Sequence, residues 1–354
     1  MARWRQLIRV LAGFAATGAF LALFARKVDM GEALGEFRSL PWWATVAGAA
    51  MVLVNLVFMS IRWRYLVQGA GYDVALRPLA RAAAVGQAGS NILPFRGGDV
   101  LRVESVREAG VPAFVVIGTL FAEKVLDGLA LAAWIVMGAL MLGKTGAIFL
   151  IGLALMAGAA LGVVVLHLAA RDPQRAQRLA TRAGIWLPVA WRPRVERAVA
   201  QFLGGLGAFA DQRRLTLAFL ASIAMWAADV VMYAVVGWAY DLDVPVGTYF
   251  LLEGVANLAL AIPAAAAGIG TFDYLTLVAA QNVAVPAAQA PAYVLTVHAL
   301  TVVPITIVGA FALWRAFPRL RQLASEPAGA AELEVEPLEH PPGSLARGGD
   351  RARQ

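Results

Sequence analysis

A chain of 354 residues that is 60% hydrophobic and only 15% charged, with a mean hydropathy of +0.69, lies far outside the composition of a water-soluble globular domain. Its net charge of +7 is placed between apolar runs and at their ends, which suits anionic lipid headgroups and topology and argues against nucleic acid as a partner. Cysteine is absent, so disulfides and thiol chemistry are excluded.

In chain order, a basic start, "MARWRQLIR", leads into a first apolar run at residues 7–25. We read it as a retained span and not as a cleaved signal peptide, because its loss would put the arginine-rich segments on the wrong side. Residues 42–61, 113–142, 147–168, 215–240 and 292–314 follow, each meeting the roughly 20 apolar residues needed to cross a hydrocarbon core. Barrel-type alternation is missing. The fold class expected is therefore all-α, a polytopic helical membrane protein with about six full spans.

Positive charge in short loops marks the cytoplasmic side. Arg3, Arg5 and Arg9 place the N-terminus inside, the sign-balanced segment 26–38 falls outside, and Arg62, Arg64, Arg77 and Arg81 fall inside again. The "GKTG" turn at 143–146 is outside, the very basic loop 171–214 inside, the acidic "DLDVP" at Asp241 outside, and Arg315, Arg319 and Arg321 inside. The expected location is the cell inner membrane, with both termini cytoplasmic.

That count closes only if residues 82–95 enter and leave on the cytoplasmic side. They are also too few to span comfortably, and so read as re-entrant. Residues 247–263 and 271–285, separated by "AAAAGIG", form a second pair that starts and ends outside, either a re-entrant hairpin or two short spans. The two breaks share an order: Asn91, Pro94, Gly97, Gly98, Asp99 in one, and Asn257, Pro263, Gly268, Gly270, Asp273 in the other. Amide, proline, paired glycines and aspartate on opposite faces form the pattern of an inverted repeat, whose interrupted helices meet near the midplane around a substrate.

Ionisable groups inside apolar spans each need a partner or a task. Glu123 and Asp127 stand four residues apart on one helical face with Lys124 beside them, and Asp229, Glu253 and His298 sit in later spans. Two readings stay open: an ion-pair network in which Arg96 or Arg102 neutralises Glu123 and Asp127, and a set of carboxylates that carries protons or cations. No metal site or cofactor is expected, since three scattered histidines lack ligand spacing and "FRGGD" lacks the ending of a phosphate loop. No catalytic set stands out either, so an enzyme is not expected.

In the basic loop, Val195, Val199, Phe202, Leu206 and Phe209 recur at steps of four and three, which predicts an amphipathic helix lying on the inner leaflet. Residues 1–320 read as one transmembrane domain, with a first half to about 170, the loop 171–214 and a second half 215–320. Residues 321–354 read as a disordered cytoplasmic tail.

The stretch "GQAGSNILPFRGGDVLRV", followed by "AEKVLDGLAL", then "NLALAIPAAAAGIGTFDYL" and a last span holding His298 and Pro304, resembles the lysylphosphatidylglycerol synthase transmembrane, or flippase-like, family. The similarity covers residues 7–318. It implies an integral membrane protein that moves, or helps move, a lipid or lipid-linked headgroup between leaflets. Bifunctional members carry a soluble aminoacyl-transferase domain after the membrane part, where this sequence has only the short tail, so synthase activity is not expected. Alanines at 264–267 stand where members often have further proline or glycine, so a softer outer break is expected.

The expectation is a translocase for a phospholipid or polyprenyl-phosphate-type lipid. Asn91, Arg96, Gly97, Gly98, Asp99 and Arg102 would receive the headgroup, and Asn257, Gly268, Gly270 and Asp273 would form the outer half of the path. Glu123, Lys124, Asp127, Glu253 and His298 would balance or couple charge. A small-solute or ion-coupled transporter, and a non-transporting partner of envelope lipid biosynthesis, are the alternatives.

Overall fold

In a computed structural model the described residues are 18–24, 26, 30–93, 97–183, 191–260, 266–283 and 285–325. All regular structure among them is helical: α1 (Met30–Ser39), α2 (Trp42–Gly69), α3 (Leu76–Ile92), α4 (Gly98–Arg107), α5 (Ala113–Met141), α6 (Ala147–Arg171), α7 (Pro173–Ala183), α8 (Arg192–Gly205), α9 (Gln212–Ala239), α10 (Gly247–Ala259), α11 (Thr271–Asn282) and α12 (Ala290–Ser325). Residues 18–24 are helical as well. Five helices, α2, α5, α6, α9 and α12 as far as Arg315, are long and apolar enough to cross a membrane. The chain is an all-α, multi-pass membrane protein. Most of the expected first span, residues 7–25, lies outside the described residues.

The long helices begin where the sequence interrupts an apolar run. Pro41 and Pro112 stand in extended backbone immediately before α2 and α5, and the Asp211 carboxylate accepts the Arg214 N–H at 3.2 Å to start α9. Because α2, α5, α6 and α9 are apolar around most of their circumference, lipid and protein can each take a side. Helix α6 shows this most clearly: only Gly152, Leu166 and Ala170 are buried, and Leu150, Ile151, Leu161 and Leu168 are exposed.

The described residues as far as Trp314 form one compact unit, and Arg315–Ser325, the end of α12, fall to another. The helix therefore reaches five residues into the stretch expected to be tail, and the remainder of that stretch lies outside the described residues. Two apolar cores sit inside the larger unit. One gathers Trp63, Leu66, Leu79, Val116, Leu126, Leu206 and Phe209; the other gathers Tyr233, Tyr249, Leu251, Phe272, Leu277, Tyr293 and Val297. Helices α5 and α9 contribute to both and so tie the halves together.

The expected amphipathic helix forms α8, followed by the 3-10 turn Gly207–Phe209, and the end of its apolar face packs on protein. Leu203, Leu206, Ala208 and Phe209 are buried, and Phe202 packs with its ring tilted against Phe121 of α5, ring centres 5.7 Å apart. Gly118 of α5 and Gly205 of α8 leave no room for a Cβ where the helices cross. Periodicity identified the apolar stripe; it could not say whether lipid or α5 would cover it.

Candidate functional site

Two helical hairpins interrupt the long helices. In the first, the 17-residue α3 and 10-residue α4 pack side by side; in the second, the 13-residue α10 and 12-residue α11 do the same. At 1.5 Å per residue none of the four reaches the roughly 30 Å of a hydrocarbon core. The 3-10 turn Ala266–Gly268, between α10 and α11, lies against α3. The second break therefore meets the first hairpin.

Where they meet is a cavity of about 640 Å³. Gln87, Ser90 and Asn91 of α3 line one side and Asn257, Ala267 and Gly268 of the second break the other; Arg62, Lys124, Asp127, Trp226, Asp229 and His298 complete its polar wall. Val52, Leu56, Met59, Leu131, Leu260 and Ile305 give it a long apolar wall. Its volume falls within the about 300–1,000 Å³ of small-molecule sites. A lumen that is polar in patches and greasy along its length suits an amphiphile.

The first hairpin is held by close backbone approach. A Cβ on Gly98 would overlap the Gly86 carbonyl and Ser90, and one on Gly86 would overlap the Arg102 side chain. Gly97 has φ −56, which any residue adopts. Gly98 was expected among the residues that receive the headgroup; here its missing side chain lets α4 approach α3. Asn91 lines the cavity and donates to Thr306 Oγ1 of α12 at 2.9 Å. Arg96, with Pro94 and Phe95, lies outside the described residues.

A four-member charge network runs from the cavity wall, at Arg62 and Asp127, back to Arg102 and Glu123. The Arg102 guanidinium, 1% exposed, donates to both Glu123 oxygens at 2.9 and 3.0 Å and lies 4.0 Å over the Trp63 ring. Arg62, equally buried, pairs with Asp127 and reaches Glu123 at 3.5 Å. Trp226 Nε1 donates to Asp127 at 3.1 Å, and Lys124 stands 3.7 Å from it. Two arginines thus face two carboxylates, with Lys124, 39% exposed, and Arg62, buried, both lining the lumen.

Arg102 neutralises Glu123, as one of the two open readings had it. Asp127, however, is neutralised by Arg62, which the topology argument had placed in a cytoplasmic loop. The structure puts Arg62 on the buried face of α2, one turn before Leu66 and beside Trp63. Arg102 and Glu123 do not line the cavity. Asp99 sits on the far side of α4, in a shallow groove with Val100, Val103, Phe121 and Lys124.

In the second break, Ala267, Gly268 and Gly270 have φ of +57, +70 and +88. Ala267 thus takes up a left-handed conformation that a Cβ disfavours, while residues 264 and 265 of the alanine run expected to soften this break lie outside the described residues. Asp273 holds this turn: one carboxylate oxygen accepts the Gly270 N–H at 2.9 Å, the other meets His298 Nδ1 at 2.7 Å. His298 Nε2 reaches back to the Ala267 carbonyl at 2.9 Å, and its ring stacks on Phe272 at 4.3 Å. Gly268, Asn257 and His298 reach the lumen; Gly270 and Asp273 stand behind it.

Glu253 is completely buried on α10 and does not line the cavity; Asn257, which does, donates to it at 3.1 Å. Besides Arg62, reasoning from sequence did not select Gln87, Ser90, Asn55 or Trp226 for the site. The small and amide residues of α3 recur at steps of three and four, Gln87, Ser90 and Asn91, and that spacing was the available signal.

A family profile described as the lysylphosphatidylglycerol synthase TM region matches residues 10–309. The glycosyltransferase AglD of Haloferax volcanii is 28% identical over 344 residues, covering 87% of this chain and 54% of that protein. The chain therefore spans about half the length of the curated relative it matches. With the profile covering most of the sequence, including both hairpins and every membrane-length helix apart from the end of α12, the chain belongs to the lysylphosphatidylglycerol synthase transmembrane-region family, a lipid-associated, flippase-like family of membrane proteins.

Proposed function

We propose that this protein is a lipid translocase of the cell inner membrane, passing the headgroup of a phospholipid or polyprenyl-phosphate-type lipid through the central cavity while the tails stay in the bilayer. The observation that carries this reading is the cavity itself: polar side chains from both broken hairpins converge on one lumen among membrane-length helices. In this reading α3/α4 and α10/α11 are re-entrant copies entering from opposite faces, as in transporters built from inverted repeats. Helix ends and unpaired backbone at that depth are tolerated because they border a cavity.

Roles follow from position. Lys124 offers the lumen a cation for a phosphate and also borders the groove beside Asp99. A lipid could thus keep its tails along Val100 and Phe121 while its headgroup turns inward. The backbone at Gly97, with Arg96 next to it in the sequence, serves as the cytoplasmic approach, and Asn257, Gly268 and His298 as the outer half. Arg102 and Glu123 act as the scaffold behind Asp127 and leave the headgroup to Lys124.

Purified protein in liposomes with labelled lipids tests this, comparing wild type with Lys124→Gln and Asn91→Leu. Lipid exchange between leaflets above that of protein-free vesicles, reduced in both variants while their unfolding curves stay close to wild type, is the expected result. No exchange above protein-free vesicles, or equal exchange in all three proteins, refutes it. Uptake of a soluble tracer without lipid movement would favour a small-solute transporter.

A further inference from the structure

The second core contains polar atoms that the charge network does not explain. Glu253 is 0% exposed, its Oε1 accepts from Asn257, and its Oε2 has no hydrogen-bond partner among the described residues. The hydroxyls of Tyr233, Tyr249 and Thr248 are likewise buried without partners. Buried polar groups are nearly always satisfied by protein or water, so four on the packed helices α9 and α10 without a protein partner are natural stations for water.

Their order along the helices gives these stations a direction. On α10, Thr248 and Tyr249 stand at the start, Glu253 one turn on and Asn257 a further turn on, at the cavity. On α9, which packs against α10, Gly237, Tyr233 and Asp229 descend at successive turns. The Tyr249 ring lies against Gly237, where a Cβ would collide with it. The column therefore runs from the end of the molecule that carries Asp241 and Asp243, past Tyr249 and Tyr233, to Glu253 and then to Asp229 on the cavity wall.

The groups that face Glu253 leave it without a counter-charge. Helix α9 presents Asp229 and Tyr233, and α5 presents Asp127, whereas Tyr293 of α12 donates to the Tyr233 carbonyl at 3.1 Å. Arg62 and Lys124 are engaged by Asp127, and Asp273 of α11 is engaged by His298. No lysine or arginine among the described residues forms an ion pair with Glu253 or Asp229. An unpaired carboxylate in such a place avoids the desolvation penalty by binding a proton.

We propose that Glu253 is the proton-binding site of this protein, loaded through the Thr248, Tyr249 and Tyr233 hydroxyls and unloaded through Asp229 into the cavity. Water at the Asp241 end supplies the proton, an O–H bond forms at Glu253 Oε2, and the same bond breaks when the proton passes to the Asp229 carboxylate and on to cavity water. No oxidant or other reactant is needed. Proton movement down this column then drives or gates the cavity's cargo, a consequence that rests on the translocase reading.

Infrared spectroscopy of the purified protein in bilayers tests the site without any transport. At neutral pH, wild type is expected to show the carbonyl stretch of a protonated carboxyl, shifting on transfer to D₂O, which Glu253→Gln removes. Tyr233→Phe keeps the ring and the packing and is expected to slow the D₂O shift about tenfold, since one relay group is gone. A band unchanged by Glu253→Gln, or an exchange rate unchanged by Tyr233→Phe, overturns the proposal. In liposomes, Glu253→Gln is expected to abolish the response of lipid movement to an imposed pH gradient. A retained response overturns the coupling, and the infrared result with no lipid movement in wild type keeps the proton site while refuting the translocase.

Discussion

Arg62 and Asp127 show how a single residue is read differently in a string and in a fold. In the string, "SIRWRYLV" offers two arginines at the end of an apolar run, and both read as loop charges that set topology. In the fold, Arg64 keeps that role, with its side chain 42% exposed and 3.7 Å from Asp73, while Arg62 turns inward to two carboxylates. The 3.6-residue period separates them by 200°, so one helix end can serve solvent and core at once. Removing one partner of a buried pair leaves the other charge without compensation, at about 3–5 kcal/mol. Arg62→Gln is therefore expected to lower stability in denaturant unfolding by about that amount, and Arg62→Gln with Asp127→Asn to be less destabilised than the sum of the single variants. Additive losses would show that the pair is not coupled.

The hairpins were visible in the sequence because proline, glycine and amide residues are rare inside apolar runs, and their lengths alone set them apart from full spans. What the glycines do was not visible. Gly98 reads as a flexible joint, yet it packs in an ordinary helical turn against Gly86 and Ser90; Gly268 and Gly270 do need left-handed backbone. Sequence spacing cannot distinguish these cases, since both a close approach and a positive φ select glycine. They predict different outcomes. Gly98→Val must push α4 from α3 and shift Arg102 from Glu123, which is expected to cost about 1–3 kcal/mol for overpacking and to lower the thermal midpoint clearly. Gly268→Ala adds a strained conformation of about 1–2 kcal/mol and a contact with Leu260, both confined to the turn at the cavity wall. Lipid exchange is the readout that separates them: Gly268→Ala should alter it at temperatures where the protein remains folded.

At the scale of the whole molecule the sequence yielded the class, the long helices and the positions of both breaks, because hydropathy and charge are local quantities. The cavity was not local: its lining comes from α2, α3, α5, α9, α10 and α12, so only the packing of distant helices assembles it. The same packing bears on topology, where parity turns on whether residues 76–107 return to the face from which they came. If α3/α4 is re-entrant, Glu108 after it and Arg182 beyond α6 lie on one face, with α5 and α6 forming an out-and-back pair between them. Lys144 at the α5–α6 turn and Asp241 after α9 then lie on the other face, in keeping with the bond from Lys144 Nζ to the Asn282 carbonyl at the end of α11. The chain has no cysteine, so single cysteines at these four exposed positions report cleanly. An impermeant thiol reagent applied to sealed vesicles of one orientation is expected to label Glu108→Cys and Arg182→Cys together, and Lys144→Cys and Asp241→Cys only from the opposite side. Labelling of Glu108→Cys and Arg182→Cys from opposite sides would make α3/α4 a crossing, and the two hairpins would then no longer be inverted copies facing one another across the cavity.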